Sequence, residues 1–294
     1  MKILLTGATG FIGGAFLRQA LSHGHQVAVL VRPERTTPAN LPASENLLLV
    51  RGTLAEAPWK QIAAFQPEVC VHTAWITTPG VYLESPENER WRDESLKFFQ
   101  QAREIDVRHW VSLGTCIEYQ QSRQPMSEER TPIAPATTYA RCKNELRLAL
   151  AAEAARHGVT FCWSRVFYPY GPGEDPARLC SSIIQKLRRG ERLELKTPDS
   201  TKDYIFIDDL AAALVTVMEK RFHGAINLGT GVGVSVREVA ETLGDLLGQS
   251  GLISSANPPA ADPLGDIVAD AGKLHSLGWH RTVTLREGLG WLVR

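Results

Sequence analysis

The chain opens on a pattern that leaves little choice of fold. Lys2 to Leu5 is an apolar run of strand length, and Gly7, Gly10 and Gly13 then fall three apart, immediately before the helical spacing of Phe11, Ile12, Ala15, Phe16 and Leu17. A strand that runs through such a turn into a helix presents backbone N–H groups and the positive helix end to one point. In that arrangement the first glycine permits the tight turn, the second lets the backbone approach an anion, and the third lets the helix pack on the strand. The ligand this geometry fits is the pyrophosphate of a dinucleotide, with Thr9 lying inside the turn.

A second β-rich run, Gln26 to Val31, follows one helix later and ends at Arg32. Dinucleotide folds read the adenosine ribose at this place: an acidic residue binds the 2′-hydroxyl of NAD, whereas an arginine fork suits the 2′-phosphate of NADP. Arg32, with Arg35 as a second positive charge, therefore predicts NADP(H) as the preferred cofactor, with NAD(H) as the alternative. A solvated arginine at a strand end is the competing reading of Arg32.

The remaining pattern is alternation. Strand-like runs at 47–50, 69–73 and 109–113 are separated by helical ones at 59–65 and 87–105, and a long helix over 138–157 leads into a strand over 160–166. This predicts an α/β fold, a Rossmann-type doubly wound parallel sheet, in a dinucleotide-binding domain over residues 1–166. After the turn-rich break at 168–176, helices outnumber strands (178–189, 208–220, 234–247, 284–292), and 250–263 reads as a surface excursion. Residues 167–294 are therefore expected to form a smaller mixed α/β substrate lobe at the carboxyl edge of the sheet, with the chain crossing back to the sheet near 200–230.

Composition narrows the partners. The 294 residues are 44% hydrophobic, and 32 basic residues balance 32 acidic ones without a basic stripe, which argues against nucleic acid and for a small molecule. No apolar stretch is long enough to span a bilayer and no signal peptide precedes the first strand, so a cytoplasmic protein is expected. The five cysteines include no C-x-x-C pair and read as reduced and structural, and the eight histidines are scattered without ligand spacing, so no metal site is expected.

Two segments carry chemistry. Tyr139 and Lys143 are four apart inside the long helix, on one face and one turn apart, so that a cation there favours the phenolate of a tyrosine acting as acid or base. Thr115, just past the strand over 109–113, places a hydroxyl at the carboxyl edge of the sheet. Ser112 is the competing hydroxyl and reads as facing the core.

These motifs together resemble the extended short-chain dehydrogenase/reductases of the nucleotide-sugar epimerase/dehydratase family, across essentially the whole chain. The matching segments are Thr6-Gly-Ala-Thr-Gly-Phe-Ile-Gly13, Val71-His-Thr-Ala74, Gly114-Thr-Cys-Ile-Glu-Tyr119, Tyr139-Ala-Arg-Cys-Lys143, Arg165-Val-Phe-Tyr-Pro-Tyr-Gly-Pro172, Lys202-Asp-Tyr-Ile-Phe-Ile-Asp-Asp209 and Asn227-Leu-Gly-Thr-Gly231. The resemblance implies Thr115, Tyr139 and Lys143 as the catalytic set, with Lys143 also on the nicotinamide ribose. It implies a cofactor site that includes Gly7, Thr9, Gly10, Phe11, Ile12, Gly13, Thr53, Leu54, Thr73, Ala74, Trp75 and Phe167. It further implies a homodimer and a nucleoside-diphosphate sugar held by Tyr168 and Lys202.

The chain also departs from the family. Tyr168 stands where an asparagine is common, Lys202 replaces an arginine, and no arginine occupies the segment Pro263-Leu-Gly-Asp266. Cys116 and Ile117 stand where a dehydratase needs acidic residues, which disfavours elimination of water. Glu118 has two open readings, a contact to a substrate hydroxyl or a structural bond to nearby backbone. The expected activity is an NADPH-dependent reduction of a nucleoside-diphosphate-linked 4-keto-6-deoxy sugar; the alternatives are a 4-epimerase that retains NAD and, third, a non-catalytic NADP-sensing protein.

Overall fold

The structure is a computed structural model that describes residues 1–33 and 41–294. Its elements run in chain order as β1 Lys2–Thr6, α1 Phe11–Ser22, β2 Gln26–Val31, β3 Leu47–Arg51, α2 Trp59–Phe65, β4 Val69–His72, α3 Glu87–Glu104, β5 His109–Thr115, α4 Thr138–His157 and β6 Thr160–Val166. There follow β7 Tyr168–Tyr170, α5 Leu179–Arg188, β8 Leu193–Leu195, β9 Thr201–Phe206, α6 Ile207–Glu219, β10 Gly224–Leu228, β11 Gly233–Ser235, α7 Val236–Leu247, β12 Ile253–Ser255, α8 Gly272–Ser276 and α9 Leu285–Leu292.

The chain divides into two compact units. The first comprises Met1–Glu118, Ala134–Arg165 and Ala211–Ile226, and the second Tyr119–Ile133, Val166–Leu210 and Asn227–Arg294. Seven strands form one sheet in the order β3-β2-β1-β4-β5-β6-β10, and the pairs β1–β2, β1–β4, β2–β3 and β4–β5 are parallel. This is the doubly wound Rossmann order. The chain leaves β1 toward β2 on one side and reaches β4 on the other, so a crevice opens beyond the carboxyl ends of β1 and β4.

Both faces of this sheet are covered, which is why its strands read as continuous apolar runs; Ile3, Leu4, Leu5, Val27, Ala28, Val29, Val69, Cys70 and Val71 are all at most 1% exposed. Trp110, Trp163, Phe98, Phe99 and Leu146 fill the core of the first unit. Helix α4 starts where the Thr137 hydroxyl accepts the Ala140 N–H (3.2 Å), and it stops at Gly158 in a left-handed conformation. All five cysteines are free and buried. No helix among the described residues is long and apolar enough to cross a membrane.

The second unit differs from the helix-rich expectation. It holds the three-stranded sheet β11-β9-β7 and the pair β12–β8, and Ile253–Ser255, inside the expected surface excursion, pairs in parallel with Leu193–Leu195. Strands of three residues are too short to show a period of two. The segment 119–133, which follows β5 directly in sequence, also belongs here, because Met126 N–H donates to Val268 (2.7 Å) and Asn227 Nδ2 donates to the Met126 carbonyl (2.7 Å).

Candidate active site

The turn after β1 is shaped by what a side chain would strike. Gly7 has φ +76, and a Cβ built on it would lie 2.5 Å from Thr73 Oγ1 and 2.7 Å from the Ala74 nitrogen; a Cβ on Gly13 would overlap the Gly7 carbonyl. The glycines at 7 and 13 thus seat the turn against the end of β4. A Cβ on Gly10 meets only the Gly7 carbonyl, at 3.3 Å, so this glycine faces a less crowded side. No side chain caps α1 and its first turn carries no acidic residue, so its N–H groups face outward as an anion-binding end.

Buried polar groups pin that turn. The Thr73 hydroxyl donates to the Thr6 carbonyl (2.7 Å), and Thr6 Oγ1 lies 2.8 Å from His72 Nδ1. His72 Nε2 lies 2.9 Å from Ser95 Oγ, whose own proton goes to the Trp91 carbonyl (2.6 Å). With that proton committed, Ser95 accepts from Nε2–H, and Nδ1 accepts from Thr6. Burial, helped by the nearby Lys143, pulls His72 down to about 3, so this ring is neutral.

The catalytic candidates come together in the first unit. Thr115 closes β5, and Tyr139 and Lys143 stand one turn apart on α4, with Thr115 near enough to the Tyr139 phenol to lower its pKa. Lys143 Nζ donates to the Leu113 carbonyl (2.9 Å), 3.8 Å from the centre of the Trp75 ring and 5.9 Å from that of Tyr139. Trp75 is itself fixed by its Nε1 bond to Asn88 Oδ1 (2.8 Å), and the buried Asn88 amide donates to the carbonyls of Tyr82 and Ser85. The Tyr82 ring meets Tyr139 edge-on, 4.9 Å between centres.

The electrostatics depart from expectation in one respect. Burial pushes the Tyr139 phenol well above its ordinary value, Tyr82, Glu118 and Cys116 add to this, and Thr115 works the other way. Burial also pulls Lys143 down to about 7, with Glu118 opposing. Its ammonium is spent on a carbonyl and an indole face, so in this state Tyr139 is a phenol, able to give a proton.

Of its two readings, Glu118 has the structural one. It is fully buried, and its carboxylate accepts from Thr115 N–H (2.9 Å), Trp163 Nε1 (3.0 and 3.1 Å) and Arg165 Nε (2.9 Å). It holds the Thr115 backbone and has no face left for a substrate. Ser112, as expected of a core hydroxyl, is buried.

The other expected residues fall as follows. Thr9, Phe11 and Ile12 lie on the glycine turn and the start of α1, Thr53 and Leu54 follow β3, and Thr73, Ala74 and Trp75 follow β4, all in the first unit at carboxyl ends of its strands. Arg32 directly follows β2 and is exposed; Arg35 lies outside the described residues. Phe167, Tyr168 and Lys202 belong to the second unit. Lys202, the expected contact to the substrate diphosphate, is buried and paired with Asp262 Oδ2 (2.8 Å), and it also donates to the Gly265 carbonyl. Burial pushes the Asp262 carboxyl up, but bonds from Lys202, Ser200 and the Leu264 N–H outweigh it and hold the group below its ordinary value.

Asn88 and the Glu118–Arg165 pair are parts of the site that sequence reasoning did not assign. Asn88 gives no local signal. Arg165 sits in a strand of otherwise apolar texture, and a charge there calls for a partner.

The chain is similar to known proteins over nearly its whole length. The "UDP-glucose 4-epimerase" of Corynebacterium glutamicum is 28% identical over 301 residues, spanning 95% of this chain and 90% of that protein. The one of Mycolicibacterium smegmatis is 27% identical, over 100% of this chain and 97% of its own. Among solved structures, the UDP-glucose 4-epimerase of Thermus thermophilus in complex with NAD superposes with a TM-score of 0.85 at 26% identity, over 100% of this chain and 98% of that one. The profile of the NAD dependent epimerase/dehydratase family matches residues 3–229, so this chain is an enzyme belonging to that family.

Proposed function

We propose that the protein is a nucleotide-sugar 4-epimerase that keeps NAD bound and acts on the C4 alcohol of a UDP-hexose. The observation that carries this reading is Tyr139 and Lys143 one turn apart on α4 with Thr115 at the end of β5, in a chain similar over its whole length to UDP-glucose 4-epimerases. The outward N–H groups of α1 and the glycine turn fit the pyrophosphate of NAD, and Lys143 is the group for its ribose. NAD, when bound, accepts a hydride and gives it back.

The chain's own residues handle the proton. Thr115 donates a hydrogen bond to the sugar oxygen and fixes its distance from Tyr139. Tyr139 takes the hydroxyl proton as the ketone forms and returns it as the alcohol re-forms. The base role requires the phenolate, which this buried site disfavours until a positive charge arrives; an oxidised nicotinamide carries that charge. Cys116 and Ile117 supply no acid or base for elimination, in keeping with a reaction that leaves the C5–C6 bonds alone.

Incubating the purified chain with UDP-glucose and NAD, and following UDP-galactose by proton NMR, tests the reading. Epimer should form without net NADH, and Tyr139→Phe should lower turnover by orders of magnitude while cofactor still binds. Unchanged turnover in that variant, or no epimer from the wild type, overturns it.

Arg32 supports a second reading, an NADPH-dependent reductase of a 4-keto-6-deoxy sugar. It is exposed directly after β2, where its fork suits a 2′-phosphate. Consumption of NADPH with such a ketone, with NADH serving poorly, favours this reading over the epimerase. Cytoplasmic location and homodimer assembly go with either, and size-exclusion chromatography with light scattering checks the latter.

A further inference from the structure

Away from the cofactor turn, the first unit brings three ligand-type side chains together. His23 caps the end of α1, His25 precedes β2, and Glu219 is the last residue of α6. Glu219 Oε1 lies 3.1 Å from His23 Nδ1 and 2.9 Å from His25 Nε2, and the ligand atoms of all three lie within 4.8 Å of one another. Gly24, at φ +76, makes the sharp turn that lets two imidazoles separated by one residue face the same carboxylate.

A tetrahedral zinc site has bonds of about 2.0–2.2 Å to nitrogen and oxygen, which sets its ligand atoms roughly 3.3 Å apart. The two N···O separations need to open by only a few tenths of an ångström, and the two ring nitrogens already lie within 4.8 Å of each other. The set of two imidazoles and one carboxylate is that of divalent transition cations rather than calcium or magnesium, which take oxygen ligands. Burial pushes the Glu219 carboxyl up, but the two histidines outweigh it and hold it below its ordinary value, so it is charged at neutral pH. The Met1 nitrogen stands 3.1 Å from His25 Nδ1, which leaves Nε2 as the atom for a cation. His25 is buried, so one ligand is held in place in advance.

We infer that His23, His25 and Glu219 form a binding site for a divalent transition cation of the Zn2+ class, with water completing its coordination, and that the cation clamps the α1–β2 turn to the end of α6. The two N···O hydrogen bonds give way to three metal bonds; each ring proton shifts to the ring's other nitrogen, and at His25 the Met1 ammonium facing Nδ1 gives up a proton to solvent, so that binding releases a proton. His23 and His25 by themselves show no complete ligand spacing. The third ligand comes from a residue 194 positions further along, and only the fold supplies it.

The experiment uses the full chain, stripped with chelator and titrated with ZnCl2 by calorimetry in two buffers of different ionisation enthalpy, with thermal unfolding in parallel. The expected result is one equivalent bound with proton release and a rise in Tm. His23→Ala and Glu219→Gln, both exposed and outside the catalytic machinery, should each weaken binding at least about tenfold and abolish the Tm rise while leaving basal turnover unchanged. Co2+ should give the intense visible absorption of a tetrahedral site in the wild type and not in either variant. No saturable binding by the wild type, or binding that both variants retain, overturns the assignment.

Discussion

The ammonium of Lys143 sits 3.8 Å above the Trp75 ring while donating to the Leu113 carbonyl. A buried lysine is costly to charge, and this one is pulled down to about 7, so its protonation is finely balanced near neutrality. The indole face favours the charged form by about 0.5–2 kcal/mol. The same Trp75 is tied through Asn88 to the backbone of Tyr82, whose ring backs Tyr139. Lysine charge and tyrosine position are therefore set by one local network.

Trp75→Leu should consequently move the pH dependence of cofactor binding. Affinity for NAD is expected to fall above about pH 7 as Lys143 loses its proton, and removal of the ring face should shift that midpoint down by roughly half to one pH unit, since about 1.4 kcal/mol corresponds to one unit. Trp75→Phe keeps a π face and should restore most of the midpoint. A fluorescence titration of NAD across pH 6–9 reads it. A midpoint that is the same in the wild type and the leucine variant would show that the indole does not act through the lysine.

Glu118→Gln should injure both stability and catalysis. Glu118 and Arg165 are 0% and 2% exposed, and removing one charge of such a pair leaves the other buried without compensation, at a cost of about 3–5 kcal/mol. The Thr115 N–H and the Trp163 indole share the same carboxylate, so the amide, with one acceptor oxygen, cannot satisfy them all. Urea unfolding should show the midpoint falling, and in the fraction still folded kcat should drop with the Thr115 hydroxyl displaced. A variant as stable as the wild type would contradict the assigned role.

The parallel sheet, and the placing of Thr115 at the end of β5 and of Tyr139 and Lys143 on one face of α4, were legible because each rests on a local period or spacing: continuous apolar strands, a glycine turn, and two residues one helical turn apart. What stayed hidden depends on distant partners. Glu118 reads equally as a substrate contact or a scaffold until Trp163 and Arg165 are seen around it, and the pairing of Lys202 with Asp262, 60 residues away, leaves no mark in the local sequence. The strands β8 and β12 are stabilised by pairing with each other and carry no signal of their own.

Stability should depend on pH through His72 and His109. Both are buried; burial is the larger cause in each case, joined by the Lys143 charge for His72 and the Arg221 charge for His109, and it lowers them to about 3 and about 4. In the unfolded chain each histidine returns to its ordinary value of about 6.5. Between pH 6.5 and 4 the unfolded state therefore binds two more protons than the folded one, and stability falls as pH falls, by about 1.4 kcal/mol per pH unit for each histidine. Below about pH 4 the contribution of His109 is spent and that of His72 continues to about pH 3. His109→Phe is the informative substitution, because both ring nitrogens of His109 are buried without a hydrogen-bond partner and their loss leaves no donor or acceptor orphaned. Urea unfolding at several values between pH 4.5 and 6 should show a slope of stability against pH smaller than that of the wild type by about 1.4 kcal/mol per unit. An unchanged slope would mean that His109 takes up its proton in the folded state, in conflict with its burial.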